Sequence, residues 1–274
     1  MAIIGKLLTA GAAALVLTAP AVAGAMPELA SYRAVYDLVI DDSEDSAGSA
    51  SVNGRLAIEF VGSACSGYKS TMRFVTEGVD GEGKHQVTDA RTETDESADG
   101  HFAFSNQTFV DDRLVEESQG SARRGADGIT VSLEKPAKKT FTIDAGAFFP
   151  TEQLKKVLVA ADAGEHFLSM DVFDGSQTGD VVFASASVIG KLMTAANDFG
   201  SETLVGDAGF AADPHWPVTV SYFEKKTGTD DTPAYITSFV VYPNGIGRRL
   251  RIDYGSFALT GKITHLDMLP TPKC

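Results

Sequence analysis

Hydrophobic and polar residues alternate along most of this 274-residue chain, a period of two that sends successive side chains to opposite faces of a strand. The first such run is Tyr32–Ile40, followed by Leu56–Val61 and Tyr68–Val75 as a hairpin. Further strands are expected at His101–Phe109, Leu114–Gly120 and Ile129–Leu133, then at Val181–Ala186, Val218–Glu224, Ala234–Tyr242, Arg249–Tyr254 and Ile263–Met268. Turn dipeptides such as Asp99-Gly100, Asp127-Gly128 and Asp174-Gly175 punctuate them. Hairpins dominate, so a mainly antiparallel sheet is expected. Polar stretches at Asp41–Ser51, Asp80–Gly100 and Gly200–Trp216 read as long loops, none linker-like enough to divide the chain.

One segment changes period. Leu154, Val157, Leu158 and Ala161 recur at i, i+3, i+4 and i+7, which predicts a helix of about 12 residues with one apolar face. Thr151 is the expected N-cap, Glu152 favours the positive end of the helix dipole, and Gly164 can close the last turn. A lone helix among many strands needs a place to bury that face, and the concave side of a curved sheet supplies one. A weaker helical pattern covers Gly190 to Phe199.

The N-terminus carries an address. Met1–Lys6 is short and weakly basic, Leu7–Val22 is uncharged, and small residues offer cleavage after Ala23 or Ala25. This reads as a secretory signal peptide over residues 1–25, leaving one domain over 26–274. No cysteine stands at the cleavage region, so a lipid anchor is not expected. No later apolar run approaches the 18 residues of a membrane-spanning helix, so the mature chain should be soluble. Acids outnumber bases 37 to 23, for a net charge of −14. Such a surface repels nucleic acid and anionic headgroups, which excludes general binding to either.

Export alters the reading of the two cysteines. In an oxidising compartment Cys65 and Cys274 more often pair than stay free, although free thiols and an intermolecular bridge are the alternatives. Such a bridge would close a loop of about 210 residues, worth on the order of 5 kcal/mol in the chain-entropy model. The pair is not in a C-x-x-C arrangement, which argues against redox chemistry.

Catalytic and metal-binding patterns are weak. None of His85, His101, His166, His215 and His265 lies three to five residues from another, so no metal-ligand pair is expected. The Gly62–Gly67 stretch fails the G-x-S-x-G spacing and lies in a hairpin rather than a strand–turn–helix. The acidic Asp41–Ser49 stretch lacks the glycine and glutamate of a calcium loop. Arg249 and Arg251 are expected on one strand face with Asp253, opposite Leu250, Ile252 and Tyr254. No cofactor, no metal and no catalytic residue is expected.

Several ordered stretches resemble a known family. They are Ser31–Leu38, Gly54–Glu77, Phe149-Pro150-Thr151-Glu152, Val172–Ser176, Trp216–Phe223, Tyr242–Gly245 and Arg251–Leu259, ending at Cys274. Together they resemble the EipB family of periplasmic cell-envelope integrity proteins of alphaproteobacteria, with Gln153 standing where the family pattern has a histidine. The resemblance implies a β-spiral, an open barrel of long antiparallel strands around a central helix, similar in shape to the Lol lipoprotein carriers. It implies a disulfide between Cys65 and Cys274, and a periplasmic partner built of tetratricopeptide repeats. It implies no catalytic residue. Three functions compete on this basis. They are a non-enzymatic envelope-integrity protein acting through a protein partner, a carrier or sensor of lipid or lipoprotein acyl chains, and a hydrolase of envelope polymers. The carrier needs an interior that Leu154, Val157, Leu158 and Ala161 line without filling. The hydrolase needs acids and bases converging in one cleft.

Overall fold

Alternation becomes a ladder in the computed structural model, which describes residues 27–41, 51–79, 83–194, 205–206, 214–225 and 232–274. The expected signal peptide, residues 1–25, lies outside the described residues, as does most of the Asp41–Ser51 stretch. Eight strands come first: β1 (Tyr32–Ile40), β2 (Ser51–Ser63), β3 (Gly67–Val79), β4 (His85–Glu96), β5 (His101–Val110), β6 (Arg113–Arg124), β7 (Ile129–Lys135) and β8 (Lys139–Ile143). The helix α1 (Pro150–Asp162) follows. Then come β9 (Phe167–Val172), β10 (Phe183–Ile189), β11 (Val205–Gly206), β12 (Trp216–Glu224), β13 (Tyr235–Val241), β14 (Gly247–Asp253) and β15 (Ala258–Met268).

The main sheet runs β8-β7-β6-β5-β4-β3-β2-β1-β15-β14-β13-β12-β10-β9, with β11 pairing β15 in parallel. All pairings along that fourteen-strand path are antiparallel. All but one of these joins links near neighbours in sequence. The exception brings the chain ends together, with Tyr32 opposite Met268 and Ile40 opposite Leu259. The sheet is not closed: among the described residues its edge strands β8 and β9 share no ladder.

Strand β4 occupies the Asp80–Gly100 stretch expected to be a loop. Its sequence, His85-Gln86-Val87-Thr88-Asp89-Ala90-Arg91-Thr92-Glu93-Thr94-Asp95-Glu96, puts an apolar run on neither face, so period-two hydrophobicity cannot reveal it. Full ladders to β3 and β5 hold it in place. Charges add to this on the outer face: Asp89 meets Arg73 at 2.9 Å and Arg91 at 2.7 Å, and Lys69 meets Asp95 at 2.9 Å. The two arginines hold the Asp89 carboxyl down at about 2. Its contribution is therefore present above the ordinary aspartate range and lost as pH falls toward 2. Arg73 and Arg91 are more than half and half exposed respectively, and solvent screening keeps such pairs small. Asp89→Asn is expected to lower stability at neutral pH by no more than about 1 kcal/mol. Urea denaturation checks this, and a loss twice as large would mean that β4 depends on that carboxylate.

Other sequence expectations shift. Strands β8 and β9 were not anticipated, and the strand expected at Val181–Ala186 is β10, displaced to Phe183–Ile189. Residues 190–194 of the weaker helical pattern are not helical, with Met193 bridging His215, while 195–199 lie outside the described residues. Arg249 does not share a ladder face with Arg251. It sits in a bulge at φ 54°, between Arg248 opposite Val240 and Arg251 opposite Ser238. Arg251 pairs with Asp253 at 3.0 Å and with Asp41 at 2.8 Å.

The helix starts one residue earlier than Thr151. Pro150 takes the first helical position, where its missing N–H needs no acceptor and its fixed φ suits the helix. Phe149 therefore occupies the N-cap position, and Glu152 reaches back to accept its N–H at 3.0 Å. Gly164 closes the other end at φ 74°.

Three buried clusters hold the sheet and helix together. Val157, Leu158, Ala160 and Ala161 of α1 pack with Trp216, Val218 and Val220 of β12, Val241 of β13 and Tyr68 of β3. Tyr36, Leu38, Leu56, Leu259 and Ile263 form the seam where β1 joins β2 and β15. In the third cluster, Phe149 stacks on Phe102 of β5 at 4.7 Å, and Phe173, just after β9, meets Phe104 edge-on at 5.7 Å. Residues flanking the helix and the β9 edge thus pack on strands from the other half of the sheet. Such curvature needs close approaches: Gly175 has φ 69°, and a Cβ there would lie 2.3 Å from the Phe104 ring.

Candidate functional site

The N-cap residue Phe149 has no side-chain acceptor for the first free N–H groups of α1, and a distant strand supplies one. Glu96, the last residue of β4, is 7% exposed. Its carboxylate accepts the Thr151 N–H at 2.6 Å and the Glu152 N–H at 3.4 Å. These are backbone donors that a helix N-terminus leaves unsatisfied. Glu152 in turn accepts from Arg124 of β6 at 2.7 Å, and Arg124 also donates to the carbonyls of Ala145 and Ala147. Lys155, one turn along, places its ammonium 4.3 Å above the Tyr68 ring.

Burial dominates the electrostatics of this cluster. It pushes the Glu96 carboxyl up to about 7, aided by the Glu152 charge and opposed by the hydrogen bonds from Thr151 and Glu152. Burial also holds the Lys155 amine below its ordinary value, against the opposing pull of Glu96 and Glu152. These groups border a cleft of about 540 Å³. Acids and bases converge here, as a hydrolase would require. The lone pairs of both carboxylates are nevertheless committed to the helix N-terminus and Arg124, which is the chemistry of a cap.

The β2–β3 turn forms another wall of that cleft and bears Cys65. Gly67, at φ 86°, lets the turn touch β4, since a Cβ there would lie 2.1 Å from the Glu96 carbonyl oxygen. Cys65 and Cys274 lie in disulfide geometry with Cα atoms 5.9 Å apart. The chain end is also held by Leu269 donating to Ser31 at 2.8 Å.

The four helix residues singled out from the sequence lie together, on the packed side of α1. Val157, Leu158 and Ala161 are buried and Leu154 is half-buried, all in contact with the first cluster. None borders the apolar groove found elsewhere on the core-facing side of the sheet, which measures about 480 Å³. Val52, Phe74, Ala90 and Leu259 form its apolar wall, with the Tyr254–Phe257 turn on one side and Gln86 and Lys84 at its end. Neither Glu96 nor this groove was visible in the sequence. Glu96 sits in a polar strand without apolar alternation, and the groove joins residues from opposite ends of the chain. The one available signal was the aromatic pair Tyr254 and Phe257 flanking a Gly-Ser turn.

Among the described residues, no group of three or more His, Cys, Asp or Glu is arranged to hold a metal ion. No helix among them is long and apolar enough to cross a membrane. Comparison with known proteins is more specific. A family model described as EipB-like matches residues 23–270. The cell envelope integrity protein EipB of Brucella abortus is 40% identical over 246 residues, covering 89% of this chain and 86% of that protein. A crystallised beta-barrel-like protein from Brucella abortus aligns with a TM-score of 0.80 at 38% identity, over 89% of this chain and 100% of that one.

Proposed function

Because the chain belongs to the EipB-like family, we propose that it supports the integrity of the cell envelope from the periplasm, by binding rather than by catalysis. In this reading residues 1–25 are a cleaved signal peptide and the mature chain is a β-spiral around α1, shaped like the Lol carriers. The bond between Cys65 and Cys274 is structural. The protein works through a periplasmic partner, of which a protein of tetratricopeptide repeats is one form.

One observation supports a protein partner above all. Phe167 of β9 and Val188 of β10 are 63% and 56% exposed and lie directly opposite one another in the ladder beside the sheet edge. Leu192, 53% exposed, follows closely in sequence. Adjacent large apolar side chains left in water mark interaction surfaces more often than isolated ones do. The double substitution Phe167→Glu with Val188→Thr is expected to abolish co-purification of the partner from the native periplasm while leaving the melting temperature within a few degrees. Retention of the partner by a folded variant would remove this surface from the reading.

A second reading, a carrier or sensor of lipid or lipoprotein acyl chains, has its own support. Ile58, Met72 and Phe74 on the core-facing side are only half-buried and pack against the seam cluster rather than the helix cluster. Native mass spectrometry of gently purified mature protein separates the two: a bound lipid mass favours the carrier, and a second polypeptide favours the partner.

A further inference from the structure

The main sheet ends in two strands, and only one of them is guarded. At the β8 end Pro136 and Lys138 precede the strand, and Lys139 opens it and pairs with Asp180 at 2.7 Å. Charges and prolines at an edge keep other chains from pairing with it. At the β9 end the run Phe167-Leu168-Ser169-Met170 has neither, and the charge that follows, Asp171, is already paired with Lys225 at 2.6 Å.

The free backbone groups of β9 follow from its ladder. The N–H and C=O of one strand residue point to the same side, and successive residues alternate. The Asp171 carbonyl accepts the Phe148 N–H at 2.9 Å, and the Phe173 N–H donates to the Phe148 carbonyl at 2.9 Å. Odd-numbered residues here thus present their backbone away from β10. Even-numbered ones face it, as His166 does in accepting the Ile189 N–H at 3.0 Å. Phe167 and Ser169 therefore direct both groups off the sheet, and both residues are exposed. Apart from the bridge at Phe148, no strand among the described residues pairs with that side of β9.

The flanks select what fits there. Phe167 and, across the ladder, Val188 offer apolar contact to a strand laid along the edge. Just before Phe167, Asp162 and Glu165 are exposed, and neither has an ion-pair partner among the described residues. His166 is tied by its ring to the Ile189 carbonyl at 2.9 Å, and Lys191 beyond β10 leaves the acids in excess. At the other end Lys156 stands 5.7 Å from the Phe148 ring centroid. The edge is thus negative at Phe167 and positive at Phe148.

We infer that β9 takes an added strand: an extended, apolar segment of the protein partner that pairs with Phe167 and Ser169 and carries a basic residue beside Asp162 and Glu165. Strand addition draws affinity from main-chain hydrogen bonds and specificity from alternate side chains. The inference rests on the partner reading above and adds to it the mode of binding and the chemistry of the segment. The helical face of a tetratricopeptide-repeat protein does not supply such a segment, whereas an extended tail of one does.

Ser169 separates backbone from side chain in the test. Ser169→Pro removes an N–H that β10 does not use, at the kind of edge position where strands tolerate proline, and Ser169→Ala keeps that N–H. The full mature protein is offered three synthetic peptides. One alternates valine and threonine and ends in two lysines, the second ends in two glutamates instead, and the third is an amphipathic helix with the charge of the first. Fluorescence anisotropy reads affinity, and amide hydrogen exchange reads the edge. The lysine peptide is expected to bind and to slow exchange at Phe167 and Ser169 by at least about tenfold. The other two should bind at least about tenfold more weakly. Ser169→Pro should weaken the lysine peptide about tenfold, with Ser169→Ala within about twofold of the parent. Unslowed exchange at Phe167 and Ser169, or tighter binding of the helical peptide, overturns the added strand. Co-purification from native periplasm separates this inference from the reading beneath it. Partner lost from Phe167→Glu with Val188→Thr but retained by a folded Ser169→Pro variant overturns strand addition and leaves the surface. Partner retained by both overturns the surface as well.

Discussion

Replacing both Cys65 and Cys274 by serine is expected to lower the melting temperature of the mature protein on the order of 10 °C, following the usual conversion for a chain of this size. The two residues are 209 apart in sequence with Cα atoms at 5.9 Å. Cross-linking so long a loop removes entropy from the unfolded chain worth on the order of 5 kcal/mol, and measured gains run smaller when the unfolded state keeps structure. The native state gains as well. Residues 269–274 form no strand, and the bridge ties this tail to the turn that walls the Glu96 cleft, so it cannot fray. Substituting both positions avoids a stray thiol, and a reductant on the unsubstituted protein should reproduce the loss. Equal melting of oxidised protein and double variant would show that the bridge is absent or energetically idle.

Glu96→Gln is expected to remove a pH dependence. The Glu96 carboxyl is raised from 4.5 to about 7 in the folded protein. The fold therefore prefers the protonated form, and this preference stabilises it fully below about 4.5. It is lost as pH rises through about 7. The difference corresponds to roughly 3 kcal/mol, at about 1.4 kcal/mol for each pH unit between the two values. Glutamine stays neutral at every pH, and its carbonyl can still accept the Thr151 N–H. The variant should match the parent near pH 4 and exceed it progressively as pH rises to about 7, in denaturant titrations at each pH. A difference between the two that stays flat over that range would show that Glu96 titrates alike in folded and unfolded chains. The charged groups around it are Glu152 and Lys155 on α1, Arg124 on β6 and Asp99 in the β4–β5 turn. None of these four has the burial that Glu96 does.

Much of the fold was legible because burial on one face imposes a period. Strand β1, the β2–β3 hairpin, β5, β7 and β12 to β15 each carry inward apolar residues at alternate positions, and α1 carries them at helical spacing. Where the core does not dictate the side chain, the signal disappears. Strand β4 has threonines on one face and paired charges on the other, so it reads as a loop. Thr151 reads as a cap because the rule for N-caps is local. Glu96 replaces it from a strand whose relation to the helix no local window contains. Arg249 reads as an ordinary strand residue because a bulge depends on how β13 and β14 pair.

The sequence alone therefore determined the antiparallel sheet, the amphipathic helix α1, the lack of any spaced metal-ligand motif and the resemblance to envelope-integrity proteins. These follow from hydrophobic periodicity, turn chemistry and ordered motifs, all of which act over short distances along the chain. Only the tertiary structure decided that β1 closes against β15, that Glu96 caps α1, that Phe167 and Val188 share an exposed patch, and that Ala90 and Phe257 line one groove. Each of these depends on pairs far apart in sequence, whose meeting is set by sheet order and curvature and leaves no local pattern to read.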